Sequence, residues 1–466
     1  MTAPVAAHPA SDTAHPENPL HRLTKEQIEE LGREFDSLHE QVKSDLGQRD
    51  ADYIRGVIAL HRRLALMGRA TLVGSRNPVA WVLGTAMQST AKILENMEIG
   101  HNVLHGQWDW MNDPVINSQA WDWDTASTSE AWRHSHNYIH HTYTNILGKD
   151  KDLGYEIMRI DPNQKWHPVY LIQPVVNLIL MALFEWGVAF HDMDLEAIRK
   201  GEKTHKEALG DLKGIAGKAR AQVVKDYIAW PLLSALIAGG VDLAIDRLRP
   251  PSKRERVRGA GRRLRTRIAK RERVSPRDLL LDSMKRTYIA TAKANATSNV
   301  IRNLWAHAII FCGHFPDQAY VFTQDETEEE TTGARYVRQL LGACNIEGGP
   351  MFHLMSGNLG YQVEHHLYPD MPSTRYAEIA PAVRDICLRY ELPYNTGPFF
   401  KQVYMVNRTI VRLAFPGGKP RPKPGPYRGE DGDYQPASNG NGHARNGSAG
   451  SNGSGPEQPT DGVRVS

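Results

Sequence analysis

Residues 134–141 read HSHNYIHH, four imidazoles in eight positions. On a helix, His136 and His140 share a face, while His141 is turned by about 100° from His140, so one helix offers imidazole to two different points. Two other stretches repeat the device: HNVLH sets His101 and His105 one turn apart, and YQVEHHLYP at 361–369 places His365 beside His366. Twenty histidines in 466 residues make a lone HH or HxxxH expected about once by composition, but HxxxHH only about 0.04 times. Two points, each approached by several imidazoles, specify a two-metal site.

The bulk numbers narrow the class. Cys312, Cys344 and Cys387 lie far apart with no CxxC pair, which offers neither a disulfide framework nor a zinc ribbon and suits a reducing compartment. The first residues lack the basic and apolar regions of a secretory signal. A net charge of +3 hides a local block: residues 247–273 hold thirteen Lys/Arg against two Asp/Glu, so +3 less +11 leaves the remainder at −8. Such a block suits an acidic partner, anionic headgroups or nucleic acid, and it equally suits a solvated insert. It lacks the aromatic interleaving of a single-strand binder, and nucleic acid is not the expected partner.

Residues 1–22 and 416–466 are expected to be disordered, the latter being a Pro/Gly/Asn/Ser-rich tail too poor in apolar residues to fold. The ordered part, 23–415, carries a basic insert at about 247–286. It opens with Thr24 as N-cap and Gln27 three residues on, followed by the face Ile28, Leu31, Phe35, Leu38 and Val42. Residues 169–190, 22 residues with one charge at Glu185, are the best transmembrane candidate, since a helix of that length spans roughly 30 Å. The runs 77–91, 227–241 and 287–316 fit membrane helices or buried core helices equally. The mean hydropathy of −0.48 leaves the number of crossings open.

HNVLH, HNYIHH some thirty residues later and QVEHH beyond two hundred more resemble the three histidine boxes of the membrane-bound fatty-acyl desaturases and related hydroxylases. The resemblance covers roughly residues 64–372, and HHTYTN and EHHLYPDMP extend it past the histidines. It implies an all-α integral membrane protein whose cytoplasmic helical cap holds two non-haem irons, with O₂ as co-substrate, in a multi-pass cell-membrane enzyme active on the cytoplasmic side. The ligands implied are His101, His105, His136, His140, His141, His365 and His366. The family's NxxxH element, matched by Asn303 to His307, adds His307 as ligand and Asn303 as holder of a water. Gln362 departs from the pattern, standing where many acyl-CoA desaturases have histidine. Either one imidazole fewer suffices, or His314 or His353 substitutes.

Dehydrogenating an alkyl chain breaks unactivated C–H bonds, which no side-chain acid or base can do, so the oxidant must come from O₂ on a redox metal. Imidazole suits iron; zinc fits the same ligands but has no redox chemistry. Two electrons must enter from outside. No haem-binding HPGG is present, Phe415 to Gly418 lacking its histidine, and no GxGxxG follows a strand. The implied donor is a separate ferredoxin or NAD(P)H-dependent reductase, with the basic insert as a possible dock for an acidic one. Glu98, Glu364, Asp150 and Asp152 are candidates for orienting the imidazoles. The tryptophans of QWDWMNDP and WDWD fit a headgroup boundary or the core.

The expected reaction is cis desaturation of a long-chain acyl-CoA, Δ9 on stearoyl-CoA, in contact with membrane lipid. A front-end Δ6 activity, an acyl-lipid substrate and a hydroxylase outcome are the alternatives. A soluble ferritin-like di-iron bundle would instead use the ExxH pairs Glu98/His101 and Glu202/His205.

Overall fold

The computed structural model describes residues 18–248, 261, 265–266, 275–418 and 421–429, and these are predominantly helical. The first long helix, α1 (Lys25–Ser44), starts where its capping signature sits: Thr24 Oγ1 accepts from the Gln27 amide and Gln27 Oε1 from the Thr24 amide. Leu31 and Phe35 on its apolar face are fully buried. Two antiparallel-length helices follow, α2 (Gln48–Leu72) and α3 (Pro78–Ile93), the latter capped by Asn77 and started by Pro78 at a position that needs no amide.

The run 169–190 is not one helix. It divides into α4 (Gln173–Ala182) and α5 (Phe184–His191) around Leu183, and the helical arms on either side of that break meet at 103°. The transmembrane candidate read from composition is thus a bent pair. One helix among the described residues is long and apolar enough to cross a membrane: His205–Leu248, comprising α6 (His205–Val223), a π-helical turn and α7 (Trp230–Leu248). The 227–241 run lies inside it. α8 (Pro276–His314) absorbs the 287–316 run and packs along α7 and α3. It starts at a capping box, Ser275 with Asp278, inside the expected basic insert; residues 249–260, 262–264 and 267–274 of that insert lie outside the described residues.

These helices keep many apolar side chains on the outside. Val82 and Leu83 of α3, Val175, Leu178 and Ile179 of α4, Leu232, Leu236 and Ile237 of α7 and Val300, Ile301 and Leu304 of α8 are all exposed. A belt of that extent on a water-soluble monomer would be unusual.

The remaining elements form a cap. α9 (Thr332–Gly342), α10 (Gln362–Leu367) and α11 (Tyr376–Arg389) enclose Val337, Leu340, Val363, Tyr368, Tyr376 and Val383 with Leu31 and Phe35 of α1. A pair of three-residue parallel strands, β1 (Asn345–Glu347) and β2 (Thr396–Pro398), ties α9 to α12 (Phe399–Leu413). The ends expected to be disordered are partly built. Pro19–Arg22 form a 3₁₀ turn, and in the tail Lys423 donates to the Asp317 carbonyl while Tyr427 packs on Tyr394.

Candidate metal centre

Four segments bring the imidazoles together. α3 runs on through a π-helical turn, Leu94–His101, into a last turn that ends at His105. The second box starts as an α-turn capped by Thr128 and widens into another π-helical turn, Arg133–His140, before His141. Such i→i+5 turns are uncommon and favour functional sites, because one extra residue re-aims the side chains that follow. α10 delivers His365 and His366, and the last residue of α8 delivers His314.

Two clusters result. In one, ligand atoms of His101, His105, His136 and His365 all lie within 4.8 Å of one another; in the other, the same holds for His140, His314 and His366. His141 stands between them, its ring centroid 4.8 Å from His105, 4.9 Å from His365 and 4.6 Å from His366. All are buried except His136, which is nearly so. The inner nitrogens Nε2 of His105, His136, His140 and His365, and both nitrogens of His141, have no hydrogen-bond partner. Buried polar atoms are ordinarily paired, so a convergent set of bare ones fits a metal pair.

The outer nitrogens explain why the inner ones are bare. His101 Nδ1 donates to Asn102 Oδ1 at 2.9 Å, and the Asn102 amide is fixed the right way round because its Nδ2 donates to the Glu98 and Gly357 carbonyls. His136 Nδ1 donates to Asp152 and His140 Nδ1 to Asp150. His365 Nδ1 donates to the Tyr376 hydroxyl, which passes its own proton to the Tyr368 carbonyl. His366 Nδ1 donates to Gln339 Oε1, whose amide end is occupied by the His141 carbonyl. Each contact holds the proton on Nδ1 and leaves the Nε2 lone pair pointing inward. Burial adds to this: it pushes His101 down to about 3 and His105, His141, His365 and His366 well below the usual imidazole range, so these rings are neutral donors at neutral pH. Burial works the same way on His140, but the Asp150 and Asp152 carboxylates outweigh it and raise that ring.

Several expected residues stand elsewhere. His307 joins neither cluster; its Nε2 bonds Asn177 Oδ1 at 2.9 Å and its ring stacks on Phe311. Asn303 donates to the Ala182 carbonyl, accepts from Arg302 and lines the cavity beside His101. Glu98 does not orient His101; its carboxylate serves Tyr53, Ser373 and Asn358. Glu364 serves Tyr394 and Asn345 instead of His365. His205 is exposed at the start of α6, which leaves the ferritin-like pairing without a second half. His353 stacks on Tyr361 outside both clusters. Gln362 reaches His314 with its amide at 2.9 Å, packed on Gly313 where any Cβ would lie 2.8 Å from it. Asn102, Tyr376 and Gln339 carry no sequence signal as partners of the boxes, whereas the departure at Gln362 signals His314. Trp108 and Trp123 are core residues, and Trp123 packs on Trp132, which in turn abuts His101, His105 and His136.

Beside the first cluster opens a cavity of about 680 Å³ of non-atom space, part of it open to the outside. Met97, Trp132, Phe184, Val188, Ala306 and Ile310 line it, with His101 and His136 in its wall. Of the bare nitrogens, that of His136 belongs to a residue in this wall.

The family model described as fatty acid desaturase matches residues 77–245 and 283–398, and the interruption between them brackets the basic stretch. Over 394 residues, 84% of this chain and 82% of the other, the sequence is 43% identical to the NADPH-dependent stearoyl-CoA 9-desaturase of Mycobacterium tuberculosis. It is 22% identical over 333 residues, 70% of this chain and 78% of the other, to the sn-1 linoleoyl-lipid 6-desaturase of a Synechocystis species. A segment of 74 residues, 16% of this chain and 17% of the other, is 36% identical to fatty acid desaturase 3 of Homo sapiens.

Proposed function

The chain belongs to the fatty acid desaturase family, and from that premise we propose that it introduces a cis double bond at position 9 of a stearoyl chain carried as its CoA thioester. The observation that carries the chemistry is the pair of imidazole clusters, the first of which places His101 and His136 in the wall of a cavity lined in part by apolar side chains. The name of the Mycobacterium tuberculosis relative narrows the acyl group and points to NADPH as the electron source; on this reading a separate protein delivers the electrons.

Two irons, one among His101, His105, His136 and His365 and the other among His140, His314 and His366, with His141 between them, would supply the O₂-derived oxidant that unactivated C–H bonds demand. The protein's own part is positional. Asn102, Asp150, Asp152, Tyr376 and Gln339 fix the ring tautomers, and burial favours the neutral form of the box imidazoles other than His140. Met97, Phe184, Val188 and Ile310 hold the alkyl chain along the wall formed by Trp132 and the histidines. The exposed apolar belt supports a body embedded in the cell membrane; on this reading the chain passes it several times, with the clusters and the cap on the cytoplasmic side.

Membranes containing the chain, given stearoyl-CoA, O₂, NADPH and a soluble reductase fraction, should yield a chain whose cleavage at the double bond locates it at carbon 9. A bond at carbon 6, a hydroxylated product, or turnover that proceeds without O₂ would each overturn this reading.

A further inference from the structure

The boxes and their immediate partners do not account for His191. It is the last residue of α5, and it reaches the metal site only because the apolar run turns through 103° near Leu183. Its Nε2 donates to Asp152 Oδ1 at 2.9 Å. The other oxygen of that carboxylate lies 3.2 Å from His136 Nδ1 and 3.6 Å from His140 Nδ1. His136 belongs to one cluster and His140 to the other, so a single carboxylate touches a ring of each. The next residue, Asp192, accepts from Ser135 in the turn that carries His136 and from Ser127, which pins the end of α5 to that turn.

We propose that His191 is a positioning residue: through Asp152 it sets the orientation of one imidazole in each cluster and so holds the two metal positions in register. Resting on the two-iron reading above, this adds a residue outside the histidine boxes and gives the broken helix a purpose. With the His191 N–H removed, Asp152 Oδ1 loses its partner in a buried site, and the carboxylate is free to rotate away from the two rings. A hydrogen bond to a charged group in such a place is among the stronger ones. Outer partners of metal-ligating imidazoles typically change affinity by about 10- to 100-fold.

The test uses the detergent-purified full-length chain, stripped of metal and titrated with cobalt(II), whose visible absorption reports its ligand geometry. Two cobalt ions per chain are expected for the unaltered protein. His191→Leu should bind cobalt about 10- to 100-fold more weakly with altered visible bands. His191→Gln, which keeps an N–H near the Nε2 position, should restore both affinity and spectrum. A leucine variant indistinguishable from the unaltered chain, or a glutamine variant as impaired as leucine, would overturn the assignment of His191 alone. An unaltered chain that takes up no cobalt pair would remove the two-metal reading itself.

Discussion

What a buried histidine can do depends on what its two nitrogens meet, and α8 holds one histidine inside an imidazole cluster and one outside both. His307 and His314 are seven residues apart, two turns along the same face, and both are buried. His307 spends Nε2 on Asn177, outside both clusters, whereas His314 Nε2 meets His366 Nε2 at 3.2 Å and the Gln362 amide at 2.9 Å, and its Nδ1 is unpartnered. The resemblance implies His307 as a ligand and leaves His314 as one of two substitutes for the histidine missing at Gln362; the structure sets His314, and not His307, within a cluster. Replacing His314 by Ala should remove one of two bound irons and lower desaturation by at least about 100-fold, the upper range that changes in outer partners already reach. Replacing His307 by Ala should leave two irons per chain by metal analysis. The acids teach the same lesson: Asp150 and Asp152 do hold imidazoles, while Glu98 and Glu364, each within three residues of a box histidine, are turned to Tyr53 and Tyr394. Sequence adjacency on a helix says which face a side chain leaves from and nothing about what waits there.

At the scale of elements, the helix starts were legible because capping is local: Thr24 with Gln27 satisfies its own amides within one turn. The break at Leu183 was not, since LILMALFEWG contains no proline, and hydropathy sums side chains without sensing direction. α1 also docks the cap to the third box. His39 stacks on Tyr368 with centroids 5.2 Å apart and lies 3.3 Å from Asp370, and that hydrogen bond raises the ring above its free value of 6.5 despite partial burial. A ring whose folded value is raised stabilises fully below 6.5 and loses that contribution as pH rises through the higher folded value. The unaltered chain should therefore melt higher than Asp370→Asn in mildly acidic buffer, and the two should converge in alkaline buffer. The pair is half exposed, so the gap should stay within about 0–1 kcal/mol. A gap in melting temperature that widens with pH would contradict this docking.

For the whole molecule, the exposed apolar faces of α3, α4, α7 and α8 argue for lipid as their solvent. After an alkaline carbonate wash the chain should stay with the membrane pellet, and release into the supernatant would count against embedding. What the sequence determined by itself is the chemistry: three short imidazole stretches whose helical spacing sets their directions, recognisable because spacing within about seven residues is a local property of the backbone. What only the tertiary structure decided is membership, namely that His314 joins and His307 does not, that Asn102, Tyr376 and Gln339 fix the rings, and that His191 arrives from a bent apolar run. Asn102 apart, which neighbours His101, those contacts join residues 11 to 52 positions apart, and which side chains meet depends on how the helices pack, a property that no local pattern encodes.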